Sequence, residues 1–355
     1  MAKAHNFFAG PAVLPKPVLE AAAKAVTNYK DLGMGVVEIS HRSKDFVEIH
    51  DQAVADMKEL MGLGDDHHVL FLSGGASTQF ALVPMNFLHN SADFIDTGRW
   101  SIKAIDEAQM FGNVNVPFSG KDNGYSAFPT KFEFDEDADY VHVTSNNTVA
   151  GTQMKVFPET NAPLVCDMSS DMLSRELNFS DFGFIYAGAQ KNMGPAGVTV
   201  VIIRNDLLEK QKSGLPTMMR YSTHVKKASA YNTPPVYGVF MVGQVLKWIK
   251  DQGGVKAVEK VNEEKAGMLY DVLDKYELFK PHAHKDVRST MNVTWRMSTE
   301  ELESEFLALA SEHNMYGLKG HRSVGGLRAS IYNACPVESV KALCELLEDF
   351  GSKNS

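Results

Sequence analysis

Apolar residues in the first part of the chain recur at the spacing of helices. A helix is expected to begin near Pro17, because proline is favoured in the first helical turn, and to continue to about Tyr29. In residues 44–62 the apolar positions are three and four residues apart, which predicts an amphipathic helix. Ser43, directly before this helix, is suited to cap it.

Short runs of β-branched and aromatic residues follow and predict strands. Several of these runs are apolar on both faces, as in strands buried between two layers of helices. Helical segments lie between some of them, which indicates an α/β architecture with a largely parallel sheet. The predicted strands cover residues 68–72, 93–97, 113–117, 140–144, 163–167, 183–187 and 198–203.

The last hundred residues have the pattern of an α+β module. Because 355 residues exceed what one core usually holds, two domains are expected. We place the boundary near Gly253–Gly254, so that residues 16–254 form a large domain and residues 1–15 with 255–355 form a small one. Within the small domain we predict helices over 255–277 and 300–313, strands over 291–295 and 327–331, and a final helix with apolar residues at 337, 340, 343, 344 and 347.

The composition limits the classes of function. Hydrophobic residues make up 44% of the chain and charged residues 22%, which is typical of a globular protein. The formal net charge of −9 opposes binding to nucleic acid or to an anionic membrane. Residues 198–203 form the densest apolar run, which is too short to span a membrane. An anion-binding site in this chain therefore needs a local cluster of cationic side chains.

The cysteines and the N-terminal residues favour a cytoplasmic location. Cys166, Cys335 and Cys344 are odd in number and lack the spacing of metal ligands, so we interpret them as buried apolar side chains in a reducing compartment. Residues 1–10 lack the pattern of a secretory signal. No metal is expected.

A lysine and an aspartate stand at the ends of two predicted strands. Lys191 follows the sixth strand in a loop of small residues, and a partly desolvated lysine can attack a carbonyl carbon to form a Schiff base. An exposed loop lysine would have the same local sequence. Asp167 ends the fifth strand, where its carboxylate can keep a pyridine nitrogen protonated or, alternatively, cap the next segment.

A glycine-rich turn and a tryptophan extend this pattern. Residues 73–79 (SGGASTQ) lie between a predicted strand and a helix, where backbone N–H groups and the hydroxyls of Ser77 and Thr78 suit a cofactor phosphate. Trp100 is placed either to stack on an aromatic cofactor or to pack in the core. Glycine turn, tryptophan, aspartate and lysine occur in the order of aspartate-aminotransferase-type enzymes that use pyridoxal 5'-phosphate (PLP).

Five segments of the chain resemble the phosphoserine aminotransferase family. They run from residue 6 to residue 333, so the similarity covers nearly the whole chain. The resemblance implies an α/β, fold type I PLP-dependent transferase with a large domain on a mostly parallel seven-stranded sheet and a smaller α+β C-terminal domain. The segments are Asn6–Pro15, Glu38–Arg42, Gly188–Pro195, Tyr231–Pro235 and Leu318–Asn333.

The resemblance also implies roles around the cofactor. Lys191 is expected to bind PLP as a Schiff base and then to move the substrate α-proton as general acid and base. Asp167 would pair with the pyridine nitrogen, and Trp100 would stack on the ring. The phosphate and the phenolic oxygen of PLP would be held between them by Ala76, Ser77, Thr148 and Gln190.

Two further expectations concern the site of the PLP phosphate. Some family members have an arginine in place of Ser77, so neutral donors would hold the phosphate here. The family is a homodimer with interfacial active sites, and Asn232 and Thr233 would reach the PLP phosphate bound by the partner subunit.

Cationic residues are implied to select the substrate. Arg328 would grip the α-carboxylate as a bidentate fork. The pairs His41–Arg42 and His321–Arg322 would converge on the distal phosphate, the first pair from the other subunit. A phosphate monoester carries roughly 1.5 to 2 negative charges near neutral pH, which several cationic donors match. The same donors can take the γ-carboxylate of glutamate or 2-oxoglutarate.

The implied reaction is a reversible ping-pong transamination. O-Phospho-L-serine and 2-oxoglutarate give 3-phosphooxypyruvate and L-glutamate, and the reaction runs toward phosphoserine in L-serine biosynthesis. In bacteria the family also forms 4-phosphooxy-L-threonine for pyridoxine biosynthesis. Whether this chain does so is not decided by its sequence.

Other functions of this fold would require different residues. A cysteine desulfurase needs a reactive cysteine on an accessible loop, and Cys166 lies within a predicted strand. Serine–pyruvate and alanine–glyoxylate aminotransferases of the same fold have no need of two His-Arg pairs. A non-catalytic PLP-binding or phosphometabolite-sensing protein would keep the arginines but has no reason to keep Lys191 with Asp167.

Overall fold

The computed structural model describes residues 4–354. Residues 1–3 and 355 lie outside the described residues. Two predictions extend to them: the bounds of the small domain, and the absence of a signal pattern over residues 1–10.

Seven strands form one sheet in the order β1-β7-β6-β5-β4-β2-β3. All neighbours are parallel except β7, which is antiparallel to both β1 and β6. Each predicted run corresponds to one strand, and the predicted α/β fold with a mostly parallel seven-stranded sheet is confirmed. The strands are β1 (His67–Leu72), β2 (Ser91–Asp96), β3 (Asn113–Ser119), β4 (Val141–Thr144), β5 (Leu164–Asp167), β6 (Phe182–Gly188) and β7 (Thr199–Arg204).

Ten helices accompany the strands. The predicted helix over 44–62 is confirmed, and the Ser43 side chain caps it by accepting a hydrogen bond from the Phe46 N–H at 3.3 Å. The helices are α1 (Lys16–Thr27), α2 (Lys44–Met61), α3 (Gly75–Phe87), α4 (Arg99–Ala108), α5 (Asn205–Leu208), α6 (Tyr221–Lys226), α7 (Val236–Asp251), α8 (Val255–Lys275), α9 (Glu300–Glu312) and α10 (Val337–Asn354).

The sheet is buried on both faces except at the edge strand β3, whose residues are mostly exposed. Successive residues of a strand belong to different cores: Val69 and Phe71 of β1 pack with α1, α2 and α7, whereas Leu70 and Leu72 pack with α3 and α4. The same alternation holds in β4, β5, β6 and β7, and it explains why these strands read as continuous apolar runs. Polar side chains are thereby concentrated at the strand ends.

The C-terminal part is an α+β module with its own core. Strands β8 (Phe279–Pro281), β9 (Asn292–Met297) and β10 (Leu327–Ser330) form an antiparallel sheet in that order. Its core joins α8, α9 and α10 and includes Phe7 of the N-terminal segment, while the first turn of α8 packs into the core of the large sheet. The division into residues 16–254 and residues 1–15 with 255–355 stays a prediction.

Two further features concern the described residues alone. None of the helices within residues 4–354 is both long and apolar enough to cross a membrane. Cys166 and Cys335 are buried, Cys344 is partly buried, and all three are free thiols.

Replacement of the α2 cap tests the helix assignment. Ser43→Ala removes the acceptor for the Phe46 N–H, so we expect the free energy of unfolding in urea to fall by about 1 kcal/mol. Ser304→Ala is the matched control, because that hydroxyl only donates back to the Glu300 carbonyl on the exposed side of α9. A loss for Ser304→Ala as large as that for Ser43→Ala would contradict a specific capping contribution.

Candidate active site

The carboxyl ends of three parallel strands bring the candidate catalytic residues together. The register pairs Thr144 of β4 with Asp167 of β5, and Asp167 with Tyr186 of β6. Lys191 follows β6 in a tight loop. In this loop the Ala189 carbonyl accepts from the N–H groups of Met193 and Gly194, and the Ala189 N–H donates to Val198 O at 3.0 Å. Asp167 and Lys191 thus lie together at the carboxyl edge of the sheet, where open α/β sheets bind their ligands.

The ammonium group of Lys191 lies in a cavity of about 130 Å³. Its Nζ donates a hydrogen bond to Thr148 Oγ1 at 2.7 Å and lies 5.8 Å from the centre of the Trp100 ring. The pKa of Lys191 is lowered to about 8, chiefly by burial. The charge of Asp167 opposes this effect, and the charge of Arg328 adds to it. The amine is therefore closer to its neutral, nucleophilic form than an exposed lysine.

Asp167 supplies a buried carboxylate on the wall of the same cavity. Its Oδ1 accepts a hydrogen bond from the Ser169 N–H at 2.9 Å. Burial raises the pKa of Asp167, whereas the hydrogen bonds from Ser169 and the charge of Lys191 lower it. A buried carboxylate is stabilised most by a cationic partner, so this position suits a protonated ring nitrogen.

The other residues expected around the cofactor line the same cavity: Ala76, Ser77, Trp100, Thr148 and Gln190. Two buried polar atoms among its lining residues, Trp100 Nε1 and Thr144 Oγ1, have no hydrogen-bond partner among residues 4–354. Buried polar groups are normally paired, so these atoms indicate a ligand with polar groups of its own.

The glycine turn forms one end of this cavity. Gly74 and Gly75 have φ values of +100° and +69°, a backbone conformation that side chains rarely adopt. Thr78 Oγ1 donates to the Gly74 carbonyl at 2.9 Å, so this hydroxyl is used within the turn and does not line the cavity. Ala76, Ser77 and the free N–H groups at the start of α3 remain to bind an anion.

Arg328 and His321 line an adjoining cavity of about 320 Å³. Arg328 Nη1 donates to the Thr148 carbonyl at 3.2 Å, which links this cavity to Lys191 through one residue. Burial lowers the pKa of Arg328. Burial also lowers the pKa of His321, followed by the charges of Arg99, Arg328 and Arg322. Arg322 is exposed beside His321.

Four predicted residues lie apart from both cavities within one chain. His41, Arg42, Asn232 and Thr233 are absent from the residues that line the Lys191 and His321 cavities. His41 is partly exposed and the other three are exposed. A role for them at a cofactor or substrate therefore depends on a second subunit.

The N-terminal segment covers Lys191, which the sequence analysis did not foresee. The Ala12 N–H donates to Gln190 O at 2.9 Å, and a Cβ on Gly10 would lie 3.3 Å from Lys191 Cγ. The φ of Gly10 is +145°, so a side chain there would be strained as well as pressed against the lysine.

Buried amides tie the Lys191 loop to the C-terminal module, and these were also missed. Asn192 Oδ1 accepts from the Asn333 N–H at 3.0 Å, and Asn333 Oδ1 accepts from Asn262 of α8 at 2.8 Å. Asn192 and Asn333 both lie in segments that resemble the family, which was the available signal. They position the residue next to Lys191.

The fold and the paired lysine and aspartate define a class of enzymes that act through PLP. The family model for class-V aminotransferases matches residues 4–343. A phosphoserine aminotransferase of Lysinibacillus sphaericus is 51% identical over 358 residues, which cover 99% of each chain. The chain therefore belongs to the class-V aminotransferases, and within them to the phosphoserine aminotransferases.

Solved structures agree with this assignment. The phosphoserine aminotransferase from Bacillus circulans subsp. alkalophilus has a TM-score of 0.97 at 46% identity, with 99% of each chain covered. The PLP-bound phosphoserine aminotransferase from Trichomonas vaginalis has a TM-score of 0.90 at 36% identity, with 98% of this chain and 100% of that chain covered.

The lowered pKa of Lys191 predicts unusual reactivity in the protein without cofactor. With a pKa of about 8, roughly a quarter of the molecules carry a neutral amine at pH 7.5, against about one in a thousand for an ordinary lysine. The rate of acetylation by trace acetic anhydride, followed by peptide mass spectrometry, should rise with a midpoint near pH 8. Exposed lysines such as Lys16 serve as internal references.

The variant Asp167→Asn tests the sign of the electrostatic effect on the pKa of Lys191. The charge of Asp167 raises the pKa of Lys191, so its removal should move the midpoint to lower pH. A midpoint above pH 10 in the unaltered chain, or an upward move in Asp167→Asn, would contradict the electrostatic account.

Proposed function

We propose that this chain catalyses the PLP-dependent transamination of O-phospho-L-serine and 2-oxoglutarate to 3-phosphooxypyruvate and L-glutamate. One observation carries the proposal: Lys191 and Asp167 share a cavity that adjoins a second cavity lined by Arg328 and His321. The first arrangement suits a PLP enzyme, and the second suits an amino acid with two anionic groups. Membership of the phosphoserine aminotransferases agrees with both.

The residues of the first cavity fit PLP as cofactor. Lys191 would bind its aldehyde carbon, Asp167 its ring nitrogen and Trp100 its ring face. Ala76, Ser77 and Gln190 are within the same cavity to hold its phosphate and phenolic oxygen. When bound, PLP withdraws electrons from the substrate α-carbon and so makes its proton removable.

Lys191 would move that proton. Its Nζ donates to Thr148 Oγ1 at 2.7 Å, and this hydrogen bond holds the amine inside the cavity. A pKa of about 8 would let the amine accept a proton from one carbon and return it to another at neutral pH. Asp167, buried on the wall of the same cavity, would be stabilised by a cationic ring nitrogen of the cofactor.

The second cavity would bind the two anionic ends of the substrate. Arg328 is held by the Thr148 carbonyl so that its remaining N–H groups are free for the α-carboxylate. His321 and Arg322 would bind the distal phosphate, or the γ-carboxylate of glutamate in the other half-reaction. Such a shared site accounts for a ping-pong exchange between two acids of similar length.

A homodimer would complete this site. Apolar side chains around His41 and Arg42 are unusually exposed: Leu32 by 43%, Met34 by 44%, Val37 by 53% and Val47 by 47%. An exposed apolar group of this kind favours association with another protein surface. A second copy of the chain would bury it and deliver His41 and Arg42, with Asn232 and Thr233, to the active site of its partner.

The wider biological role follows from the reaction. We place it in L-serine biosynthesis in the cytoplasm, in the direction of phosphoserine formation. Amination of the four-carbon phosphorylated analogue for pyridoxine biosynthesis is the second activity that the same site would support. Free cysteines agree with a reducing compartment.

The absorbance spectrum of the purified protein tests cofactor and substrate together. We expect a visible band from PLP bound at Lys191, its loss on addition of O-phospho-L-serine, and its return with 2-oxoglutarate. A band that is indifferent to phosphoserine but lost with alanine would move the substrate to the small-substrate aminotransferases. Absence of a band after incubation with PLP would overturn the enzyme assignment.

Mixed dimers test whether Arg42 acts across the interface. Arg42→Ala should lower kcat/KM for phosphoserine at least about tenfold and that for alanine much less, since it removes a charge-assisted hydrogen bond to the phosphate. Refolding Arg42→Ala chains with an equal amount of Lys191→Ala chains should restore about a quarter of the wild-type activity. One site of each hybrid then has both wild-type residues.

The matched control mixes variants of two residues that one chain contributes to the same active site. Arg328→Ala mixed with Lys191→Ala should restore nothing, because each site of that hybrid lacks one of the two residues. Equal results for the two mixtures would contradict an interfacial role of Arg42.

A further inference from the structure

Arg99 stands beside a residue of the Lys191 cavity, although the sequence analysis gave it no role. It is the first residue of α4 and directly precedes Trp100, which lines the Lys191 cavity. The turn before it is fixed to residues 146–150: Asn147 Nδ2 donates to Thr97 O, and Asn147 Oδ1 accepts from Ala150 N at 3.1 Å. Ala150 lines the His321 cavity. The turn that leads into Arg99 is therefore hydrogen-bonded to a segment that contributes residues to both cavities.

The guanidinium of Arg99 has no protein partner. Its Nε is buried without an acceptor, and among residues 4–354 no carboxylate or carbonyl forms a hydrogen bond or ion pair with it. A buried N–H group of a cation without an acceptor is costly. Its position adds to this cost, because the first turn of a helix favours acidic residues and disfavours a positive charge. Neither helix formation nor packing explains an arginine here.

The charge of Arg99 acts on His321. After burial, Arg99 contributes most to the lowered pKa of His321, ahead of Arg328 and of the adjacent Arg322. No acidic side chain is among the causes of that shift. Three arginines thus act on His321 with no carboxylate to offset them among those causes, in a chain whose formal net charge is −9. Such a cluster is stabilised by an anionic ligand.

We propose that Arg99 is a further substrate-binding residue, which binds the distal anionic group together with His321 and Arg322. This inference rests on the proposed function and deepens it, because it concerns selectivity between the two substrates. A phosphate monoester offers three terminal oxygens to several donors at once, whereas a carboxylate offers two. An additional arginine therefore favours the phosphorylated substrate over the dicarboxylic one.

Steady-state kinetics of Arg99→Ala and Arg99→Lys test the proposal. We expect Arg99→Ala to raise KM for phosphoserine about ten- to hundredfold, with kcat little changed, and to raise KM for glutamate several times less. Arg99→Lys, which keeps the charge but loses the fork, should recover part of the affinity. Lys353→Ala, which removes an exposed cation at the end of α10, is the control for loss of a positive charge and should leave both KM values nearly unchanged.

Binding of inorganic phosphate provides a readout that does not depend on turnover. Phosphate should raise the Tm of the PLP-loaded wild-type protein and of Lys353→Ala, and this rise should be smaller in Arg99→Lys and smallest in Arg99→Ala. Because each variant is compared with itself without phosphate, a loss of intrinsic stability does not affect the result.

The outcomes separate this proposal from the proposed function. Equal effects of Arg99→Ala on phosphoserine and glutamate, or the same phosphate-induced rise in Tm as in the wild type, would overturn the role of Arg99. If the wild-type protein does not turn over phosphoserine, the proposed function fails. Phosphate binding by Arg99→Ala then still decides whether Arg99 binds an anion.

Discussion

The parallel register of β4, β5 and β6 is the constraint on which the site depends. It sets Thr144, Asp167 and Tyr186 side by side at one edge of the sheet. A shift of one residue would turn the Asp167 side chain to the opposite face of the sheet. The apolar residues that precede Asp167 in β5 are buried on both faces, so the packing that stabilises the sheet also fixes the carboxylate. Stability and chemistry therefore share the same register.

A second set of contacts holds the C-terminal module in relation to that edge. Lys265 of α8 is buried and donates to the carbonyls of Ile331 and Tyr332 at 2.9 and 2.7 Å, just beyond β10. Asn333, in the same turn, donates its backbone N–H to Asn192. The strand that carries Arg328 is thus joined through buried hydrogen bonds to the loop that carries Lys191. These polar contacts set the position of Arg328 relative to Lys191.

The sequence was most informative where packing leaves a periodic pattern. All seven strands of the large sheet were predicted from short runs of β-branched and aromatic residues, which are continuous in the buried strands and alternate with polar residues in β3. Helix α7 was missed because its first eleven residues are almost all apolar, with β-branched and aromatic members that suit a strand equally well. Strand β8 is only three residues long and ends in Pro281, which is too little for a pattern. The contacts of Asn192 and Asn333 join distant parts of the chain and leave no periodic signal.

The antiparallel course of β7 has a consequence for motion in the site. Because β7 returns directly beside β6, the loop over 189–198 is a short connection with both ends held in neighbouring strands. Backbone rearrangements of larger segments take microseconds or longer, whereas rotamer changes of a side chain take picoseconds to nanoseconds. With its backbone held in this way, Lys191 changes position by rotation about its own side-chain bonds. In the proposed reaction, proton delivery by Lys191 would therefore not wait for a loop to move.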